Sequence, residues 1–416
     1  MPRRAARLLA LVSLVSMGGC RTVVWLGEDR DGGVALDAAS SEAGRPDAPP
    51  LRDAGRDADS WELDSAVDAA DGGPDAFVVP TCATHETEIT GARVGVATEA
   101  ASLASSGTGA RLRFGILLPA AARLTGDETQ LVLLDRDGVR VGERLIAVLD
   151  AGGAPSSAAT LHSLSPHTVD EGFLLLTETS IALLDHDGAT VGLETPLAAP
   201  PSRARQREAG WIDDDRFVFI DASGRITVFD RVSRSVDVAP IDVSGRARVL
   251  VDPGGVTVTS EGMPNELVVY AADLTGAEAL RTSWSDEGSM PIGYRLLGTD
   301  FSPTQRTWLI RATGEFRATL KSYAVPSMGE PVLGPSWLGV GPFPTIALED
   351  ELVAIVDSGS RLTLFSFRTG SFDETGIVVG AAAAFEPERD GRHSAAVWVG
   401  PGSAGTSLLL RCRLGS

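Results

Sequence analysis

Lysine is all but missing from this chain. Lys321 stands alone among 36 basic residues, and arginine supplies the rest. A Schiff-base mechanism needs a lysine amine, so that chemistry has almost no material to work with. Positive charge is also scarce overall: 36 basic residues against 56 acidic ones leave a formal net charge of −20. Nucleic acid is excluded as a partner on this ground, because holding phosphates requires a basic face. Aromatic residues make up only 6% of the chain. No G-x-S-x-G elbow, phosphate-binding loop or Cys/His zinc spacing is present. After the first twenty residues no segment shows the 3.6-residue apolar period of a helix. An α/β barrel, which needs eight amphipathic helices, is thereby excluded. What remains plentiful is Gly, Val, Thr and Leu, the vocabulary of strands and tight turns.

The N-terminus reads differently from the rest. MPRRAARLLALVSLVSMGGC carries Arg3, Arg4 and Arg7, then an apolar run from Leu8 to Met17, then Gly18-Gly19-Cys20. A basic end, a short apolar run and small residues before a cleavage point describe a secretory signal over residues 1–19. The run is too short to span a bilayer as a helix. The ending MGGC resembles the lipobox of bacterial lipoproteins, with Met17 where Leu is usual. The resemblance covers this segment alone. It implies that Cys20 becomes the lipidated first residue of the mature protein, anchored to a membrane. Arg21, where an Asp retains enteric lipoproteins at the inner membrane, implies an outer-membrane destination.

Residues 20–80 form the next region. Pieces such as LDAASSEAGRPDAPP and VDAADGGPDA are built from Asp, Ala, Gly, Pro and Ser. Fourteen acidic and five basic residues between Arg21 and Pro80 give this stretch a net charge of −9. Such a composition cannot bury enough apolar surface to offset chain entropy, so a disordered, self-repelling stalk is expected.

The remainder, 81–416, repeats. LVLLDRDGVRVGERLIAV from Leu131 and IALLDHDGATVGLETPLA from Ile181 share one hydrophobic pattern and one Asp-x-Asp-Gly turn. Weaker copies begin at Ile226, Leu267, Leu320, Leu362 and Leu408, at spacings of roughly 41 to 53 residues. That period is near the one expected for four-stranded propeller blades. FVFIDASGRITVFD (217–230) and LVAIVDSGSRLTLF (352–365) read as hairpins upstream of the repeated strand. A further strand precedes each pair, as in YRLLGTD (294–300) and PTIALED (344–350). The fold class expected is therefore all-β: a seven-bladed β-propeller of four-stranded blades, with six or eight blades as the nearest alternatives.

The seventh repeat reaches its third strand at Leu408 and then the chain runs out. Propellers are commonly closed by a strand from the other terminus, and CATHETEIT (82–90) is the segment available. That placement puts Cys82 beside Cys412 and predicts a disulfide between them, in a compartment where disulfides persist. Two unrelated free thiols are the alternative.

Few residues are candidates for chemistry. His162 and His167 in LHSLSPH lack carboxylates or cysteines at metal-ligand spacing, and neither a metal nor any other cofactor is expected. Asp135, Asp137, Asp185 and Asp187 suit a calcium loop on composition, but Asp-Gly is also what a tight hairpin turn requires. His186 stands where the first repeat has Arg136 and reads as a tolerated surface position. The best ligand site the sequence offers is basic. Arg203, Arg205 and Arg207 in PSRARQREAG alternate, as do Arg246 and Arg248 in GRARVLV. In extended strands each set would share one face. If these are innermost strands, or the loops leading into them, guanidinium groups would gather at the channel for an anionic group. The alternative is that they pair with neighbouring Asp and Glu.

The chain as a whole looks like a bacterial lipoprotein carrying a propeller on an acidic stalk. It lacks the Trp-Asp signature of WD40 blades and the kelch double glycine. The expected function is a non-catalytic binding or scaffold module at the cell envelope, presenting a ring surface to an unknown envelope protein or glycan. A propeller enzyme of lactonase or glycan-lyase type, with its site at the channel mouth, is the alternative. A spacer without a ligand is the third reading.

Overall fold

The computed structural model describes residues between Cys82 and Leu414, apart from 88–101, 119–127, 261–264, 285–293, 300–305, 314–316, 326–331, 339–344, 348–351, 388–392, 403–406 and shorter stretches in turns. For the strands between 294 and 347 it describes the backbone alone. The signal and stalk segments expected at 1–19 and 20–80 lie outside the described residues.

The described strands form seven four-stranded antiparallel sheets. Six take their strands consecutively from the chain. The first runs from Ser102–Ser106 through Arg113–Leu118 and Thr129–Asp135 to Arg140–Ile146. The second begins at Ala159–Ser163, the third at Gly210–Trp211, the fourth at Arg248–Asp252, the fifth at Tyr294–Thr299 and the sixth at Thr345–Ala347. The seventh sheet is different. It holds Ala383–Pro387, His393–Pro401 and Ser407–Arg413, and its fourth strand is Cys82–Thr87 from the other end of the domain.

The local sequence explains the sheets. Second and third strands are continuous apolar runs, such as Phe173–Thr177 and Ser180–Leu184, in which every residue is buried. Uninterrupted apolar runs belong in strands covered on both faces. Packing follows from this. Phe114, Ile116, Val132 and Leu134 of the first sheet face Ala384, Val397, Val399 and Leu409 of the seventh. Leu117, Leu131 and Leu133 face Leu161, Phe173 and Leu175 of the second sheet instead. The second packs on the third, the third on the fourth, and the sixth on the seventh in the same way. First strands of neighbouring sheets lie side by side at five of the seven junctions, that of the first and seventh sheets included. The order of sheets thus returns to its start, which is a propeller-like arrangement.

The Asp-x-Asp-Gly turns are made by their side chains. Asp135 Oδ1 accepts from the N–H groups of Asp137 (3.0 Å) and Val139 (2.8 Å). Asp185 Oδ1 does the same with Asp187 (3.0 Å) and Ala189 (2.7 Å). Gly138 and Gly188 close these turns at φ of +80° and +75°, a region that a Cβ disfavours. These two carboxylates therefore serve as backbone caps, the turn chemistry read from the sequence.

Candidate functional site

The seam where the seventh sheet meets the first is the most elaborated part of the described structure. Cys82 and Cys412 are direct cross-strand partners, Cα atoms 4.0 Å apart, and their sulfurs are bonded at 2.06 Å. Cys412 is fully buried among Leu410, Trp398 and Leu364. Two strands further in from Cys412, on the first strand of the same sheet, Glu386 is buried at 3% exposure. Its Oε2 accepts from Nε (2.8 Å) and Nη2 (2.5 Å) of Arg411, which reaches across the second strand from the third. Its Oε1 meets Nη2 of Arg136 at 2.6 Å, and Arg136 belongs to the first sheet. The seam therefore carries a covalent clasp and an ionic one. Outside them lies an open cleft of about 610 Å³, between Thr84, His85 and Glu86 on one wall and Asp137, Gly138, Val139 and Arg140 on the other.

Arg136 has counterparts that sequence reading missed. The residue after the third-strand aspartate reaches back to the preceding sheet in three successive repeats. Arg136 meets Glu386, His186 Nδ1 lies 2.9 Å from Ser106 Oγ, and Arg231 Nη1 lies 2.6 Å from Asp170 Oδ2. His186 is thus an inter-sheet contact and not a tolerated surface position. Burial and the nearby Arg113 lower its pKa, while Glu171 and Asp187 pull the other way. The signal was available: all three repeats place a side chain with a polar nitrogen at this position, whereas a free surface site would drift.

The expected arginine site is not built as the alternation suggested. Arg203, Arg205 and Arg207 do not alternate on a strand; Arg203–Glu208 is a 3₁₀ turn. The chain runs beside the strand Arg216–Ile220 at Pro201, which bridges Asp221. It then loops out and rejoins the sheet at Gly210, opposite Val218. The cause is electrostatic and steric. Pro200 and Pro201 fix the entry, and Glu208 turns inward to a buried position between two guanidinium groups. Arg248 Nη1 donates to Glu208 Oε1 at 2.9 Å and Arg205 Nη1 approaches Oε2 at 3.6 Å. Burial raises the Glu208 pKa, and Arg248 and Arg205 oppose that rise. Arg203 pairs with the buried Glu178, whose other oxygen accepts from Ser156 Oγ. Arg246 precedes the strand that Arg248 opens, and its Nη1 lies 3.6 Å from Glu266. Four of the five arginines are thus engaged by glutamates; the side chain of Arg207 lies outside the described residues. The pairing alternative holds at these four positions because a carboxylate in the same protein, already in place, needs no ordering of a second molecule.

His162 sits on the first strand of the second sheet, edge-on to Phe217 with ring centroids 4.8 Å apart and Nε2 3.0 Å from Thr160 Oγ1. His167 lies outside the described residues. Among the described residues no three His, Cys, Asp or Glu side chains are grouped to hold a metal ion. Burial lowers the pKa of His162 to about 4. The folded value is below the unfolded 6.5, so the unfolded chain takes up a proton first as the pH falls. Stability is therefore complete above pH 6.5, declines toward pH 4 and levels below it. Because the residue keeps partial exposure, the loss is about 1–3 kcal/mol, less than the full shift would give. Urea midpoints of the parent and His162→Gln, measured at pH 7 and pH 4.5, should fall more steeply for the parent. An equal fall in both would remove His162 from the acid response.

No protein-family model and no curated protein matches the chain. Solved structures overlap it at low identity. An oligogalacturonate lyase in complex with manganese gives a TM-score of 0.47 at 12% identity, over 82% of this chain and 97% of that one. The N-terminal domain of Nup159 gives 0.46 at 10%, over 80% and 96%. The Neurospora crassa Pan2 WD40 domain gives 0.44 at 10%, over 76% and 92%.

Proposed function

We propose that this is a lipid-anchored protein of the cell envelope, whose seven sheets close as the seven blades of one β-propeller. In this reading Cys20 carries the lipid, residues 21–80 are the stalk, and the propeller is a non-catalytic binding or scaffold module for an envelope protein or glycan at the outer membrane. The observation that carries the reading is the Cys82–Cys412 disulfide. A bond of this kind persists in oxidising compartments and is rare in the cytosol, which supports export of the domain. It also pins the root of the stalk to the seam, a sensible place to load a tethered domain. The return of the sheet order to its start supports the closed ring.

Membrane fractionation tests the anchor. The parent should sediment with outer membranes and resist a high-salt wash, and Cys20→Ser should be recovered as a soluble exported protein. A Cys20→Ser protein that still resists washing would overturn the lipid assignment. For the binding role, the full chain immobilised through its stalk should retain one saturable protein or glycan from envelope extracts. Retention of nothing would leave a spacer.

A further inference from the structure

The outer strand of the seventh sheet, Cys82–Thr87, differs from the outer strands of the other sheets. Strand edges carry unpaired backbone groups, and folded proteins blunt them with bulges, prolines or very short strands. The outer strands of the first, third, fourth, fifth and sixth sheets each lose register against their neighbour at an irregularity. That of the second sheet is only the dipeptide Thr195–Pro196, and Pro196 has no N–H to offer. Cys82–Thr87 instead pairs with Ser407–Arg413 from end to end without a shift. The direction of its bonding is also fixed. Opposed residues of antiparallel strands alternate between hydrogen-bonded pairs about 5.5 Å apart and non-bonded pairs about 4.5 Å apart. Cys82 and Cys412, with Cα atoms at 4.0 Å, are a non-bonded pair. Leu414, two residues on, donates to Ser394 O on the other side at 2.9 Å, which sets the same phase. The backbone N–H and C=O of Cys82 and Thr84 therefore point away from the sheet, toward its outer edge. The disulfide holds that edge at one end, so a template for a further strand is preformed.

We propose that this edge takes up an extended, basic segment of another protein as a fifth strand. The inference rests on the binding role proposed above and gives that role a place and a partner chemistry. The cleft beside the edge sets the chemistry. One wall is Thr84, His85 and Glu86, and the other is the turn 137–140 of the first sheet. Glu86 and Asp137 bring negative charge from both walls. Asp137 gives the turn only its N–H, because Asp135 does the capping, so its exposed carboxylate bonds to no other described residue. The positive charge of Arg140 is offset by Glu143, with which it pairs. In a strand seated on Thr84, every second side chain shares one face, so Lys or Arg at alternate positions meets these carboxylates. Val139, 59% exposed on the far wall, suits the aliphatic stems of such side chains. The same charge argument excludes the protein's own material. Residues 21–80 carry a net charge of −9 and the whole chain −20, so neither the stalk nor a second copy complements an acidic cleft.

The probe is the peptide Lys-Thr-Lys-Val-Lys-Thr-Lys, with Glu in place of every Lys as its control, titrated into the full chain in detergent. The Lys peptide should bind and the Glu peptide should not. On binding, the outward amide of Thr84 should exchange on the order of tenfold slower, while that of His85, which faces Ser407–Arg413, should not change. Thr84→Pro removes the outward N–H without taking a bond from Ser407–Arg413, and should abolish binding. Asp137→Lys, on the opposite wall, should weaken binding about tenfold, and it serves as the second variant if the proline chain does not fold. The proposal fails if the Lys peptide does not bind, if it binds and leaves Thr84 unprotected, or if either folded variant binds it as the parent does. A Thr84 amide protected before any peptide is added would also overturn it, since the edge would then be covered already. The broader role is judged separately: a folded Thr84→Pro chain that still retains a partner from envelope extracts rules out this edge and leaves the binding role standing.

Discussion

Replacing both Cys82 and Cys412 with serine should lower the stability of the domain more than any other pair of substitutions at the seam. The bond joins residues 330 apart in sequence. Closing so long a loop restricts the unfolded chain severely, and the chain-entropy model puts the effect at about 5–6 kcal/mol, a ceiling that measured values often fall below. The loss should begin locally. Cys82–Thr87 is a six-residue edge strand whose residues 83–86 are exposed, so without the bond little holds it against the third strand Ser407–Arg413. Thermal unfolding of the parent, the parent under reductant, and the double serine variant is the measurement. The last two should agree with each other and fall well below the first. An unchanged midpoint in the serine variant would show that sheet packing alone keeps the seam shut.

The second large effect is expected at Glu386. Its carboxylate is buried and shared by Arg411 and Arg136, but the two arginines are not equivalent. The Arg411 side chain is 19% exposed and supplies two donors; that of Arg136 is 43% exposed and supplies one. Arg411→Met leaves a buried carboxylate with one outlying partner and should cost about 3 kcal/mol, in the range for breaking a buried pair. Arg136→Met leaves the inner pair intact and should cost about 1 kcal/mol or less. Removing the carboxylate as well should recover part of the Arg411→Met loss, because an apolar replacement leaves no orphaned charge. Denaturant midpoints of Arg411→Met, Arg136→Met and Arg411→Met/Glu386→Leu provide the test. Equal effects for the two arginines would contradict the assigned roles.

How much of this could be read in advance varies along the chain. The hairpin FVFIDASGRITVFD became Arg216–Ile220 and Arg225–Asp230, with Asp221 Oδ1 accepting from Ser223 and Arg225 at the turn. The reading succeeded because the turn is local: an aspartate, a glycine and two apolar runs decide it within a few residues. The segment 203–208 failed for the opposite reason. Alternating arginines do read as a strand face, but the partner that bends the chain is Glu208 held by Arg248, forty residues away. A local period carries no record of a distant counter-charge. His186 was misread in the same way, since its partner Ser106 is eighty residues away.

The sequence by itself determined the all-β class, the repeat and its turns, and the pairing of Cys82 with Cys412, because each follows from short-range period, turn chemistry or the arithmetic of a missing strand. The tertiary structure alone decided which polar groups meet across sheets. It spent four of the arginines expected at the channel on glutamates, two of those glutamates buried, drew Arg136, His186 and Arg231 back onto preceding sheets, and left Val139 exposed at the seam. Those outcomes depend on inter-sheet distances of a few ångströms. Buried charges are tolerated only where a partner arrives at hydrogen-bond range, and apolar side chains stay exposed where no neighbouring strand reaches them.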